Sequence, residues 1–129
     1  MQTTILICLF GLFVKHFICD FPLQTWPWIY RNKGTYMHPG GIAHAAIHGL
    51  GTFIVMAFYD IKIALIAALL DCLVHYHIDW AKMNLNARFN LKSDNSEWFW
   101  VALGFDQLLH HATYFIIVYY AFIYYNAPK

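Results

Sequence analysis

Four stretches of this chain, residues 3–20, 41–59, 61–82 and 97–125, are apolar over lengths suited to crossing lipid, since a hydrocarbon core about 30 Å thick takes about 20 helical residues. No other feature narrows the fold as far. The reading is all-α: a four-helix transmembrane bundle, up-down-up-down, forming a single domain over residues 1–129 with the lipid bilayer as its main partner. The composition agrees, with 60% hydrophobic, 19% aromatic and only 12% charged residues, far from an ordinary soluble domain. A net charge of +1 leaves neither a basic arm nor an acidic tail, which sets nucleic-acid binding aside. Cys8, Cys19 and Cys72 are odd in number and widely spaced, so no disulfide framework or thiolate zinc site is expected and they read as small buried apolar residues.

The connecting segments fit this reading. The first 19 residues lack a basic leader and a small-residue cleavage site, so they are taken as a retained helix rather than a signal peptide. PLQTWPWIYRNKGTYMHPGG cannot continue a helix past Pro22 and reads as an interfacial loop. A tight turn is expected near Asp60, and residues 83–96 read as a polar loop in which Ser96 or Asp94 caps the last helix. Arg31, Lys33, Lys82, Arg88 and Lys92 fall on the side of the first and third connections, against Lys62 and Lys129 on the other. By the positive-inside tendency those connections are cytoplasmic and both termini lie outside. Trp26, Trp28, Trp80, Trp98 and Trp100 flank the same two connections, where indole rings favour the headgroup level.

Against this apolar background the ionisable residues are ordered. His16 and Asp20, His44 and His48, His75 and Asp79, and Asp106 and His110 each stand four residues apart, one pair per segment, and Asp71 with His75 makes a fifth. That spacing puts two side chains on one helix face, and a shuffled chain of this content would give about one or two such pairs. Alternating helix directions bring the four main pairs to one level. From that level to the far end of each segment remain about 13 to 17 residues, or roughly 20 to 25 Å, so the layer sits toward the cytoplasmic side.

Carboxylates and imidazoles projecting inward from all four helices at one level are what two adjacent divalent metals in a bundle require. Five imidazoles (His16, His44, His48, His75, His110) and three carboxylates (Asp20, Asp79, Asp106) carry three negative charges, which two dications and a hydroxide neutralise. All-N/O ligation suits Zn, Fe, Mn or Ni. Polar residues in membrane helices also act as interhelical hydrogen-bond glue worth about 0.6 to 2 kcal/mol each, and that account suffices for one pair. For four pairs at one level it implies a large desolvation penalty with no cation to offset it.

The remaining polar residues are read around this layer. His77 and His111 lie about 100° around their helices from the expected ligands, His38 is a loop residue with a surface role, and Asp71 is expected to orient His75. Gln24 and Gln107 are placed to position a substrate or to bond backbone. Lys15, Lys33 and Lys82, with Arg31 nearby, are candidates for holding an anionic group, set against snorkelling to the interface. Gly49, Gly51, Ala45 and Gly104 are expected to permit close helix packing.

The segments HFICDFPLQTWPWIYRNKG, HAAIHG, HYHIDWAK and FDQLLHH resemble, in order and over nearly the whole chain, a family of small membrane proteins of unknown function from bacteria and their phages. Its HxxxDFxLQ, HxxxHG, HxxxDxxK and DQxxH motifs fall on His16, Asp20, Gln24, His44, His48, His75, Asp79, Lys82, Asp106, Gln107 and His110, with Lys33 as the lysine after the first motif. The resemblance implies a membrane location, read as the bacterial inner membrane, and this residue set but no reaction. A looser similarity to membrane-bound metal-dependent hydrolases is an analogy. A two-metal layer that opens near the headgroups leads to the expectation of a metal-dependent hydrolase acting on a lipid-linked ester or phosphate, with Lys15, Lys33, Lys82 and Gln107 assisting catalysis and oligomerisation open. A di-iron acyl-chain oxidase is the second reading: HAAIH matches a histidine box, but Gln107 stands where another would need His. A metal or proton transporter, or a bis-histidine haem bundle, are the non-hydrolytic alternatives.

Overall fold

A computed structural model of the chain describes residues 2–125; Lys129, counted above on the outer side, lies outside the described residues. Five helices and no strands occur among them: α1 (Gln2–Asp20), the short α2 (Pro27–Asn32), α3 (Pro39–Ala57), α4 (Ile61–Arg88) and α5 (Glu97–Tyr119), the last running into a π-helical turn at Tyr120–Tyr124. Helices α1, α3, α4 and α5 are long and apolar enough to cross a membrane. They pack in a ring, α1 against α3, α3 against α4, α4 against α5 and α5 back against α1. The end of α1 meets the start of α3, the second half of α4 and the first half of α5, so the four spans alternate in direction.

Local signals set most boundaries. α1 stops two residues short of Pro22, whose ring and missing N–H forbid continuation. Asp60 caps α4 by accepting from the backbone N–H groups of Lys62 and Ile63, each at 2.9 Å, and Ser96 caps α5 through Trp98 N–H. His38, expected to have a surface role, caps α3 instead: its Nδ1 accepts from Gly40 N–H at 3.0 Å.

Two boundaries differ from the sequence reading. α2 lies inside what reads as a loop, opened by Pro27 at its first position and anchored by the buried Ile29. α4 runs six residues past Ala81 and Lys82 to Arg88, giving 28 residues, or about 42 Å at the helical rise. Its tail, MNLNAR, is polar enough to leave the membrane, yet it has no Gly or Pro to break a helix. It ends where Asn90 turns left-handed (φ 50°), with Leu91 N–H bonded to Asn86 C=O and Asn90 N–H to Ala87 C=O, the paired bonds of a Schellman termination.

The interior divides along the bundle axis. Toward the α3–α4 turn it is apolar: Leu12, Met56, Ile63, Ala64, Tyr114 and Phe122 are buried together. Toward the other end it is lined by His, Asp, Lys and Thr. Gly49 allows α3 and α4 to approach, since a Cβ there would stand 2.9 Å from Ala68 C=O, whereas Gly104 faces open space and serves no packing role. The lipid-facing surface carries Leu6, Ile66, Leu108 and Ile116, all exposed.

Candidate metal centre

The last two turns of α1, Lys33 ahead of α3, the first half of α3, the middle of α4 and the first half of α5 bring twelve His, Asp and Lys side chains into the polar half, all but Lys82 buried. Asp20 lies at its centre. Its Oδ1 is 3.1 Å from His44 Nε2, 3.2 Å from His48 Nε2 and 3.7 Å from His75 Nε2, and His44 Nε2 is 3.1 Å from His75 Nε2. Each of these four residues offers a ligand atom, and those atoms all lie within 4.8 Å of one another. Two further groups overlap with the first: His75, Asp79 and His110, and Asp20, Asp106 and His110.

The spacing fits a cation. Nitrogen and oxygen ligands at 2.0 to 2.2 Å from a tetrahedral zinc stand about 3.3 to 3.6 Å apart, close to the separations around Asp20. Hydrogen bonding alone accounts for them poorly. His44 Nε2 carries at most one proton, yet it faces Asp20 Oδ1, Asp79 Oδ2 at 3.2 Å, His75 Nε2 and the Lys33 ammonium at 3.3 Å. His48 Nε2, His110 Nε2 and Asp106 Oδ1 are buried without a directed hydrogen bond among the described residues, an arrangement that buried polar atoms rarely keep. The rings are oriented by one another: His75 stacks between His48 and His110, with centroids 3.5 Å and 4.1 Å away.

Seven of the eight residues expected as ligands fall in these groups; His16 does not. Gln107 Oε1 accepts from His16 Nε2–H at 2.8 Å, and Tyr114 O–H donates to His16 Nδ1 at 2.9 Å. A neutral imidazole has one donor and one acceptor, so both are engaged by α5. The Gln107 amide also donates to Asp20 Oδ2 at 3.1 Å and Asp106 Oδ2 at 3.2 Å, which ties the carboxylates of two helices to one side chain.

The lysines change the charge sum. Lys33 pairs with Asp79 at 2.5 Å and donates to Gln24 Oε1 at 3.0 Å; Lys82 pairs with Asp106 at 3.0 Å and lies 3.6 Å from Asp79. Lys15 pairs with Asp71 at 2.5 Å, and Thr52 O–H donates to the same carboxylate at 2.6 Å. Asp71 is therefore held by Lys15 and Thr52 rather than orienting His75, whose Nδ1 has no hydrogen-bond partner among the described residues. Four carboxylates against three ammonium groups leave one negative charge, carried in effect by Asp20. One dication with a hydroxide closes that balance; a second dication requires a further anion. Lys33 and Lys82, bound inside the layer, also drop out of the charges that flank the bilayer. Exposed Arg31, Arg88 and Lys92 remain on the layer side against exposed Lys62.

His77 is exposed on the lipid side of α4, bonded to Leu73 C=O, and His111 meets Phe13 and His16 edge-on; neither joins a ligand group. Thr52 and Tyr114 escaped the sequence reading. Each stands four residues beyond an expected ligand, His48 and His110, so continuing the same periodicity by one turn finds both.

No curated protein and no solved structure matches this chain. Residues 8–128 match the family described as a protein of unknown function, DUF3307. That match spans nearly the whole chain and names no reaction: this four-span protein with a buried His/Asp layer belongs to the DUF3307 family.

Proposed function

We propose that the protein is a membrane-embedded metal-dependent hydrolase, acting on a lipid-linked ester or phosphate from the cytoplasmic side of a bacterial inner membrane, with both termini outside. The observation that carries this reading is the convergence of Asp20, His44, His48 and His75 at ligand spacing. These four would hold the resident cation, and the overlapping groups His75, Asp79 and His110 or Asp20, Asp106 and His110 would hold a second one. A divalent cation here, such as Zn, Fe or Mn, lowers the pKa of water and polarises a carbonyl or phosphoryl oxygen.

The protein's own groups supply the rest. Gln107 fixes Asp20 and Asp106 relative to each other, and a site fixed in advance loses nothing to reorganisation during reaction. Lys33 and Lys82 stabilise negative charge developing on the substrate. Lys15 is buried with its ammonium on Asp71 and on His48 C=O, so its part is to position His48. Transport is the weaker reading because the polar groups stop at Asp71 and Thr52. Beyond them the described interior is closed by Leu12, Met56 and Tyr114. An acyl-chain oxidase is weaker because three of the seven residues in the ligand groups, Asp20, Asp79 and Asp106, are aspartates, and Gln107 holds His16 away from those groups.

The test uses purified protein in detergent with p-nitrophenyl phosphate and p-nitrophenyl butyrate as chromogenic probes. Turnover of one of them should vanish with a chelator, return on adding a single divalent metal, and be absent in His44→Ala. Turnover that survives both chelation and His44→Ala would overturn the proposal.

A further inference from the structure

Two cavities meet at Lys82. One is a groove of about 610 Å³ between α4 and α5, walled by Leu73, Leu85, Ala102 and Phe105, with Lys82 and Asp106 on its inner side. A second groove of about 560 Å³ shares Leu85, Ala102 and Phe105 and continues it toward Trp98. Most of these wall residues are exposed on the lipid side of the bundle, so the groove opens sideways into the bilayer. The other cavity is an enclosed recess of about 80 Å³ at the layer's aqueous end, lined by Gln24, Tyr30, Lys33, Lys82, Asn86 and Phe99. It has room for two or three waters at roughly 30 Å³ each.

The recess has anion chemistry. Two ammonium groups and two side-chain amides border it, and Asn86 Oδ1 is buried without a hydrogen-bond partner among the described residues, placed to accept from a substrate hydroxyl. The charge balance points the same way, since the layer accommodates a second dication only with an added anion. The groove has the opposite chemistry: apolar, elongated and open to lipid. One molecule satisfies both when its head is an oxyanion and its tail is hydrocarbon.

Resting on the hydrolase reading above, we propose that the substrate is a phosphorylated lipid, a phosphomonoester whose phosphoryl group lies between Lys33 and Lys82 in the recess and whose chain occupies the α4–α5 groove. Hydrolysis joins the oxygen of one water to phosphorus and breaks the bond from phosphorus to the lipid oxygen. The proton from water goes to that leaving oxygen, releasing inorganic phosphate and the lipid alcohol.

The experiment compares three probes on full-length, metal-loaded protein: phosphatidic acid in phosphatidylcholine nanodiscs, water-soluble glycerol phosphate, and a carboxylic-ester lipid in the same nanodiscs. Phosphate release from the phosphatidic acid alone is expected. Ala102→Phe, which fills the groove away from every ion pair, should raise the KM for the lipid about ten-fold or more while leaving metal content and binding of inorganic phosphate unchanged. Lys82→Met should weaken inorganic phosphate binding about ten-fold, the loss of a charge-assisted hydrogen bond, and Lys82→Arg should restore it. Equal turnover of glycerol phosphate with no effect of Ala102→Phe would overturn the lipid assignment. Cleavage of the carboxylic ester but not the phosphate would overturn this inference and leave the hydrolase reading standing. Absence of bound metal would overturn that reading itself. A change of oligomeric state in Ala102→Phe, with the KM unmoved, would give the groove to a second copy of the chain and overturn the inference too.

Discussion

Leu12 and His48 are both wholly buried, at 0% exposure, and they sit in one bundle interior. Around Leu12 the neighbours are Cys8, Met56, Tyr114 and Val118; around His48 they are Asp20, His44, His75 and Lys15. In water both burials would need explaining by the hydrophobic effect or by pairing. In lipid, hydrophobic burial gives no drive to helix association, and packing and interhelical hydrogen bonds remain. The apolar half holds its helices by packing of the Leu12, Met56 and Tyr114 cluster. The polar half buries many charges where apolar packing would have been the cheaper way to join helices, and its desolvated charges are best understood as serving a site.

That contrast can be broken most sharply at Lys15 and Asp71, where the polar half borders the apolar one. Lys15→Met leaves a buried carboxylate without its partner, an imbalance of about 3 to 5 kcal/mol, to be read as a loss of unfolding free energy in mixed micelles. The double variant Lys15→Met with Asp71→Leu should recover most of it, because a buried pair replaced by apolar groups is near neutral. Failure of the double variant to recover would mean that the pair does more than balance charge. In the apolar half, Leu12→Ala should destabilise by about 2 kcal/mol, the low end of the range for such truncations, with metal content unchanged. A loss of metal in that variant would erase the distinction between the halves.

Within the polar half, ligand and support are separable. His44→Ala should abolish tight metal binding, whereas His16→Ala should weaken it about ten- to a hundred-fold, as expected for a group that acts through Gln107 and Asp20; metal titrations on both variants check this. The smallest effects concern helix packing. Gly104→Ala should be neutral or stabilise by up to about 1 kcal/mol, since nothing lies within 4 Å of the added methyl. Gly49→Ala should destabilise, because its methyl meets Ala68 C=O at 2.9 Å; comparison of the two melting curves decides it.

The spans and the four-residue pairs were legible because apolar length and helical periodicity are local properties. The same periodicity, followed one turn further, would have reached Thr52 and Tyr114. α2 was hidden because six residues show no period, although Pro27 marked its first position. The end of α4 was misread because polarity signals the end of a span and not the end of a helix. The lysine partners were beyond the sequence: Lys15 and Asp71 stand 56 residues apart, and nothing local says which of several aspartates an ammonium will meet. His16 illustrates the same limit, since the groups that occupy its two nitrogens arrive from α5, 91 and 98 residues away.

The central claim, that the polar half is a metal site and not a self-balanced ion network, is tested most directly by elemental analysis combined with X-ray absorption at the metal edge on full-length protein purified without chelators. The account predicts at least one tightly bound divalent transition metal per chain, with a ligand shell of three imidazoles and a carboxylate that is lost in His44→Ala. A stably folded wild-type protein that carries no such metal, and takes none up on titration, would contradict it.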